Sequence, residues 1–237
     1  VGNAVLLFAI WGISLTAISL LTLKPLMRLL ETPEELFDSA YGYIVIVLAF
    51  LIFAFGYNFL SGIIRALGNS KAPLLFLIIS SFTNVGLDLL FVYVFNWKLI
   101  GAAIATVSAF VICTIVALIY IIVAMPELHL KREDFKPNKH LLSDLFTSGL
   151  SFAMMFTIVS LGSLILQGAI NGLGKTIIAA HTTARKISEF CMMPLSTLAT
   201  TLATYSGQNH GAGKHIRVWD GIKKCLMIGF VVIILLI

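Results

Sequence analysis

A chain of 237 residues that is 59% hydrophobic and only 11% charged, with a mean hydropathy of +1.01, lies outside the composition of soluble domains and within that of membrane proteins. Its formal net charge of +5 comes from basic residues in short stretches between apolar runs, not from a basic stripe interleaved with aromatics, which excludes nucleic acid as a partner. Cys113, Cys191 and Cys225 stand alone in apolar segments without a CxxC or Cys/His pair, which excludes a zinc site and a disulfide framework.

A hydrocarbon core of about 30 Å needs about 20 apolar residues in helical form. That ruler fits seven times, at 4–23, 41–66, 73–95, 100–124, 146–171, 176–204 and 221–237. The runs are too long for barrel strands and lack strict alternation, so the fold class is all-α and polytopic. Turn chemistry separates them: Gly68-Asn69-Ser70, Asn96-Trp97-Lys98, Gly172-Leu173-Gly174 and Gly211-Ala212-Gly213. Pro73 suits the first turn of a helix, and Pro194, well inside a segment, predicts a kink. The stretch 125–145, MPELHLKREDFKPNKHLLSD within it, is the longest and most charged. It is expected to be a linker with an amphipathic piece on the membrane surface, dividing a unit at 1–124 from one at 146–237. The chain opens at Val1 rather than Met and stops within GFVVIILLI, with no secretory signal pattern. The expectation is an internal portion of a longer protein.

Alternate loops share the basic residues unevenly. Arg65, Lys71, Lys131, Arg132, Lys136, Lys139, Lys214, Arg217, Lys223 and Lys224 fall on one side, while Lys24, Arg28, Lys98 and Lys175 fall on the other, beside Glu31, Glu34, Glu35 and Asp38. The positive-inside rule then places 126–145 and 205–220 in the cytoplasm and the Asn96–Lys98 tip outside.

Asp88 is a solitary acid in PLLFLIISSFTNVGLDLLFVYVF, a stretch with no basic residue. An acid at the middle of a spanning helix costs roughly 3 kcal/mol on insertion scales, and such residues face interior cavities. Asn84 precedes it by four residues on the same helical face, with Thr83 and Ser80 beside it. Thr106 on the next segment is expected at a depth similar to that of Asp88, each about 10 Å from the outer end. A carboxylate, an amide oxygen and a hydroxyl are hard donors suited to Na⁺, and the same carboxylate could carry a proton. The alternatives are a hydrogen-bonded structural carboxyl, and a Thr106 bonded to its own backbone.

Other motifs carry less. His129, His140, His210 and His215 belong to loops, and His181 near a helix start is expected to be hydrogen-bonded locally. Gly172-Leu173-Gly174-Lys175-Thr176 lacks the preceding glycine of a phosphate loop, since that position is Ala169, and no strand leads into it. Arg185 and Glu189, at i and i+4, are expected to form an internal ion pair. Tyr57, Asn58, Gln167 and Asn171 are polar residues on apolar helices, candidates to line a substrate cavity or to bond neighbouring helices. No HExxH, paired acids or Ser/His couple lies in the helices, so no enzyme is expected.

Two longer runs resemble one family. NFLSGIIRALGNSKAPLLFLIISSFTNVGLDLLFVYVF with the following IGAAIATV, and AAHTTARKISEFCMMPLSTLATTLATYSGQNHGAGK, are similar to the multidrug and toxic compound extrusion (MATE) transporters. The shared pattern is RxLGxxxxP, Nxxx(D/N) in the following helix, GAAxAT, and later GQNxGAG. The resemblance implies a two-bundle fold of twelve helices, of which about seven, helices three to eight and the start of nine, are present. It implies a secondary active multidrug exporter in the plasma or inner membrane, exchanging Na⁺ or H⁺ for small amphipathic compounds. No cofactor beyond the coupling ion is expected, and a monomer is favoured. Asn84 and Asp88 fall on positions of the amino-terminal cation site, and Thr106 on a hydroxyl position of that site in some members. The family's other acid belongs to its first helix, upstream of Val1. The segment 146–171 has no acid, unlike the branch with a glutamate there. A lipid-linked oligosaccharide flippase of the same superfamily is the alternative, and a seven-helix receptor the alternative from another class.

Overall fold

The computed structural model describes residues 1–29, 34–171 and 173–236. Among the described residues eight α-helices follow one another: α1 (Gly2–Leu29), α2 (Glu34–Ala49), α3 (Leu51–Ala66), α4 (Lys71–Asp88), α5 (Lys98–Ala124), α6 (Lys139–Asn171), α7 (Lys175–Gly211) and α8 (His215–Leu236). A π-helical turn at Leu89–Val94 continues α4, and 3₁₀ turns at Pro126–Leu128 and Arg132–Phe135 occupy the linker. There are no strands among the described residues. The all-α expectation therefore holds.

α1, α5, α6 and the α4–π segment are each long and apolar enough to cross a membrane. The expected segment 41–66 is instead two helices, bent by 41° between α2 and α3. The bend falls at Phe50, where neither Gly nor Pro marks it. The Thr114 hydroxyl of α5 reaches Phe53 O (2.7 Å), just beyond the bend, and Phe110 O (2.8 Å) in its own helix. α7 and α8 are helical over the predicted segments but do not meet the same length and composition test. The first half of α8 carries Arg217, Asp220, Lys223 and Lys224, and that of α7 carries Arg185, Lys186 and Glu189. α7 is assigned as one helix through Pro194, and α1 runs on through Pro25.

The chain divides into two compact units, Val1–Ser143 and Asp144–Ile237. In the first, α5 is the central helix, packed against α2, α3, α4 and the π turn. Its buried positions include Gly101, Ala103, Ala105, Ala109, Cys113 and Ala117. Small side chains let neighbouring backbones approach closely, which is how helices associate in lipid. Tyr57, Ile64, Ala72, Phe76, Cys113, Ala117 and Ile121 form its core.

The α3–α4 turn is built by Gly68 and Asn69. Gly68, at φ 94°, supplies the left-handed residue that ends α3. Its N–H donates to Arg65 O (2.9 Å) and the Asn69 N–H to Ile64 O (3.2 Å), a Schellman motif. The Asn69 Oδ1 then accepts from the Lys71 and Ala72 N–H groups (3.2 and 3.1 Å), capping α4, while its Nδ2 donates to Tyr120 Oη (2.8 Å) on α5. The linker is not helical beyond its 3₁₀ turns. Its Asn138 N–H donates to Asn3 Oδ1 (3.0 Å) on α1, and Asn138 Oδ1 accepts from His140 and Leu141 at the start of α6.

In the second unit α7 packs on α8. Their turn repeats the Schellman geometry: Gly213 N–H donates to His210 O (2.9 Å) and Lys214 N–H to Asn209 O (2.8 Å).

Candidate functional site

Two hydrogen bonds fix the antiparallel register of α4 on α5. Ser80 Oγ donates to Ala109 O (2.9 Å), and Cys113 Sγ donates to Phe76 O (3.4 Å). Continued four residues toward the Asn96–Lys98 tip, this register sets Asn84 opposite Ala105 and so level with Thr106. Nearer the tip, Gly101 rests against the backbone of Phe91, which sets Asp88 between Gly101 and Ile104. Thr106 is thus level with Asn84, and Asp88 lies up to a turn closer to the tip.

Equal depth for Asp88 and Thr106 presupposed regular α-helices on both sides of the hairpin. Between the two anchoring contacts the first arm uses eleven residues (80 to 91) where the second uses eight (101 to 109). The π turn beginning at Leu89 takes up part of that excess. It is closed by Phe95 N–H donating to Leu90 O five residues back (2.9 Å). Nothing in the composition LLFVYV distinguishes it from α-helix.

The polar side chains of this face differ in how they are satisfied. Ser80 is buried and bonded across to α5, and Thr83 donates to Ile79 O of its own helix (2.8 Å). Asn84 Nδ2 and Asp88 Oδ1 are shielded from solvent and have no hydrogen-bond partner. An unpaired buried polar atom costs a few kcal/mol, more when it carries charge, so most such atoms in folded proteins are paired. Asn84 Nδ2 and Asp88 Oδ1 are two such atoms, one helical turn apart on one face. The Asp88 oxygen fits a cation or a proton, because either supplies the positive charge or donor that no neighbouring group provides.

Thr16 Oγ1 on α1 and His181 Nε2 on α7 are shielded and unpartnered in the same way. The local hydrogen bond expected of His181 therefore does not involve Nε2. Neither position has a sequence signal that separates it from ordinary helix residues, and α1 does not pack against α4.

The other expected residues are dispersed. Tyr57 is buried in the core and its hydroxyl donates to Pro73 O of α4 (2.8 Å). The Asn58 amide donates to Ala54 O within α3 (2.9 Å). Gln167 is half-buried on α6. The Asn171 side chain lies outside the described residues. Arg185 and Glu189 pair at 3.0 Å as expected, but both side chains are exposed, so the pair is not internal. A separate cavity of about 750 Å³ lies between α1, α3, α5 and residues 128–130, lined by Phe8, Phe53, Phe59, Thr114, Leu118 and Ile122 among others. Its lining residue on α5 nearest to Thr106 is Thr114, eight residues or about 12 Å of helix away, and Asn84, Asp88 and Thr106 do not line it.

Long apolar helices, those of the first unit packed on a small-residue core helix, define a multi-pass all-helical membrane protein. The MatE family model matches residues 1–90 and 151–237, and the chain belongs to that family of transporters. It is 29% identical over 194 residues to the "Probable multidrug resistance protein YpnP" of Bacillus subtilis (strain 168), covering 81% of this chain and 43% of that protein. It is 23% identical over 236 residues to the "Multidrug export protein MepA" of Staphylococcus aureus (strain N315), covering 97% of this chain and 52% of the relative. Its fold matches an outward-facing multidrug resistance MATE family transporter with a TM-score of 0.89 at 23% identity, over 96% of this chain and 51% of the other. The chain spans about half the length of the curated relatives it matches.

Proposed function

We propose that this chain forms part of a secondary active multidrug exporter of the plasma or inner membrane, in which entry of Na⁺ or H⁺ drives extrusion of small amphipathic compounds. The family membership and the relatives named for multidrug resistance and export support the export half of this reading. The coupling half rests on one observation, the Asp88 carboxylate oxygen held out of solvent with no donor. Such an oxygen can accept a cation, and a conformation that opens it to water offers it other partners. A cation bound more tightly in one state than the other shifts the equilibrium between states by that difference, and a drug with the opposite preference is thereby exchanged for it.

Asp88 is the charge carrier in this scheme. Asn84 contributes its amide, and Thr106, at the same level on α5, contributes a hydroxyl. Tyr57 and Asn58 serve packing, their polar groups being held by backbone carbonyls. The role read for the chain is in transport and not in catalysis, as family membership supports.

The test is drug efflux by the intact transporter carrying Asp88→Asn. The expected result is loss of ion-driven efflux with surface expression close to that of the parent. Undiminished efflux of a fluorescent cation by this variant would remove Asp88 from the coupling step.

A further inference from the structure

The π turn starts at the residue after Asp88, so the acid sits where the wider turn begins. A π turn is rare in helices and is usually held by its surroundings, often at functional positions. Here the surroundings can be named. On the α5 side, Gly101 abuts the Phe91 backbone so closely that a Cβ on residue 101 would lie 3.0 Å from Phe91 C and 3.1 Å from both its O and its Cβ. On the tip side, Phe91 O accepts from Trp97 N–H (2.9 Å), and the Phe91 ring stacks on Trp97 with centroids 5.1 Å apart. Phe95 closes the cluster, at 6.0 Å from Phe91 and 5.4 Å from Trp97. The turn around Phe91 is therefore gripped from two directions. The remaining direction leads back along the helix to Asp88, three residues away.

We propose that Gly101 and the Phe91–Phe95–Trp97 cluster are positioning elements for the cation site, holding the π turn and thereby the height and rotation of the Asp88 carboxylate. This inference rests on the reading of Asp88 as the coupling residue and extends it to groups that touch no ion themselves. A methyl group at 101 cannot be accommodated by a side-chain rotation, because its nearest neighbours are backbone atoms. It must push the π turn by a few tenths of an ångström. The Trp97 bond resists movement toward the tip, so the displacement reaches Asp88. Ligand shells need their groups within about 0.5 Å of the productive geometry, so the first quantity to change is cation affinity.

The experiment measures drug efflux by the intact transporter in proteoliposomes as a function of Na⁺ at fixed pH, and of proton concentration without Na⁺. Gly101→Ala, Trp97→Leu and Asp88→Asn are compared with the parent. Gly101→Ala is expected to raise the half-saturating concentration of the coupling cation about tenfold while leaving the maximal rate within about twofold. Trp97→Leu, which loosens the grip without a clash, shifts it in the same direction by a smaller factor and carries the test if Gly101→Ala does not accumulate in the membrane. A half-saturating concentration unchanged in whichever of these variants accumulates, with ion dependence abolished by Asp88→Asn, overturns the positioning role and leaves Asp88 in place. A fall in maximal rate alone overturns it equally, since that is the mark of a general structural defect. Ion dependence that survives Asp88→Asn overturns the underlying reading, and the positioning role with it.

Discussion

The α4–α5 and α7–α8 pairs are both long helical hairpins closed by tight turns, yet they treat charge in opposite ways. In α7 the acid Glu189 sits one turn from Arg185 and bonds it at 3.0 Å, with both side chains substantially exposed. In α4 the acid Asp88 has no base within its stretch and one oxygen sealed from solvent. The first arrangement is close to neutral in free energy, as exposed ion pairs generally are. The second leaves one carboxylate oxygen shielded and without a donor. The two acids differ in partnership: Glu189 has a base one turn away, and Asp88 Oδ1 has no donor.

The two pairs also differ in what joins their helices. α4 and α5 are linked through polar side chains to backbone carbonyls, as in Ser80 to Ala109, and through small residues. α7 and α8 meet through Cys225 Sγ at 3.8 Å from Leu198 O and through the Tyr205 ring over Gly221, softer contacts that leave most side chains of that unit exposed. Three substitutions sharpen this contrast, read by thermal unfolding of the purified transporter. Asn69→Ala removes the α4 cap and the bond to Tyr120 together and should cost about 2 kcal/mol, visible as a clear fall in Tm. Ser80→Ala removes one buried bond and should cost about 1 kcal/mol. Glu189→Gln should cost less than about 0.5 kcal/mol and leave the ion dependence of efflux intact, given the exposure of its pair. An Asn69→Ala transporter as stable as the parent would show that the α3–α4 turn does not anchor the first unit. A loss of ion coupling in Glu189→Gln would erase the distinction between the two acids.

Much of this architecture was legible in the sequence. The all-helical class follows from run length, and the turns at Gly68 and Gly213 follow from residues able to adopt positive φ. Boundaries were shorter than the true helices, because hydropathy marks only the apolar part. α7 continues from 204 through Tyr205, Asn209 and His210 to Gly211, and α6 begins at Lys139, both on polar residues that remain helical. The bend at Phe50 and the π turn at Leu89 were invisible, since each depends on contacts from α5 and not on its own residues. The same is true of the site. That Asn84 and Asp88 share a helical face is legible from their spacing, while the offset of Thr106 toward Asn84 and the role proposed for Gly101 require the packed hairpin.

The central claim is that Asp88 carries the coupling cation. Its most direct test reconstitutes the intact transporter and its Asp88→Asn variant in proteoliposomes and measures efflux of a fluorescent cationic drug against separately imposed Na⁺ and proton gradients. The parent should respond to at least one gradient and the variant to neither, with equal amounts of protein incorporated. A variant that still responds to the parent's gradient with comparable steepness would contradict the claim.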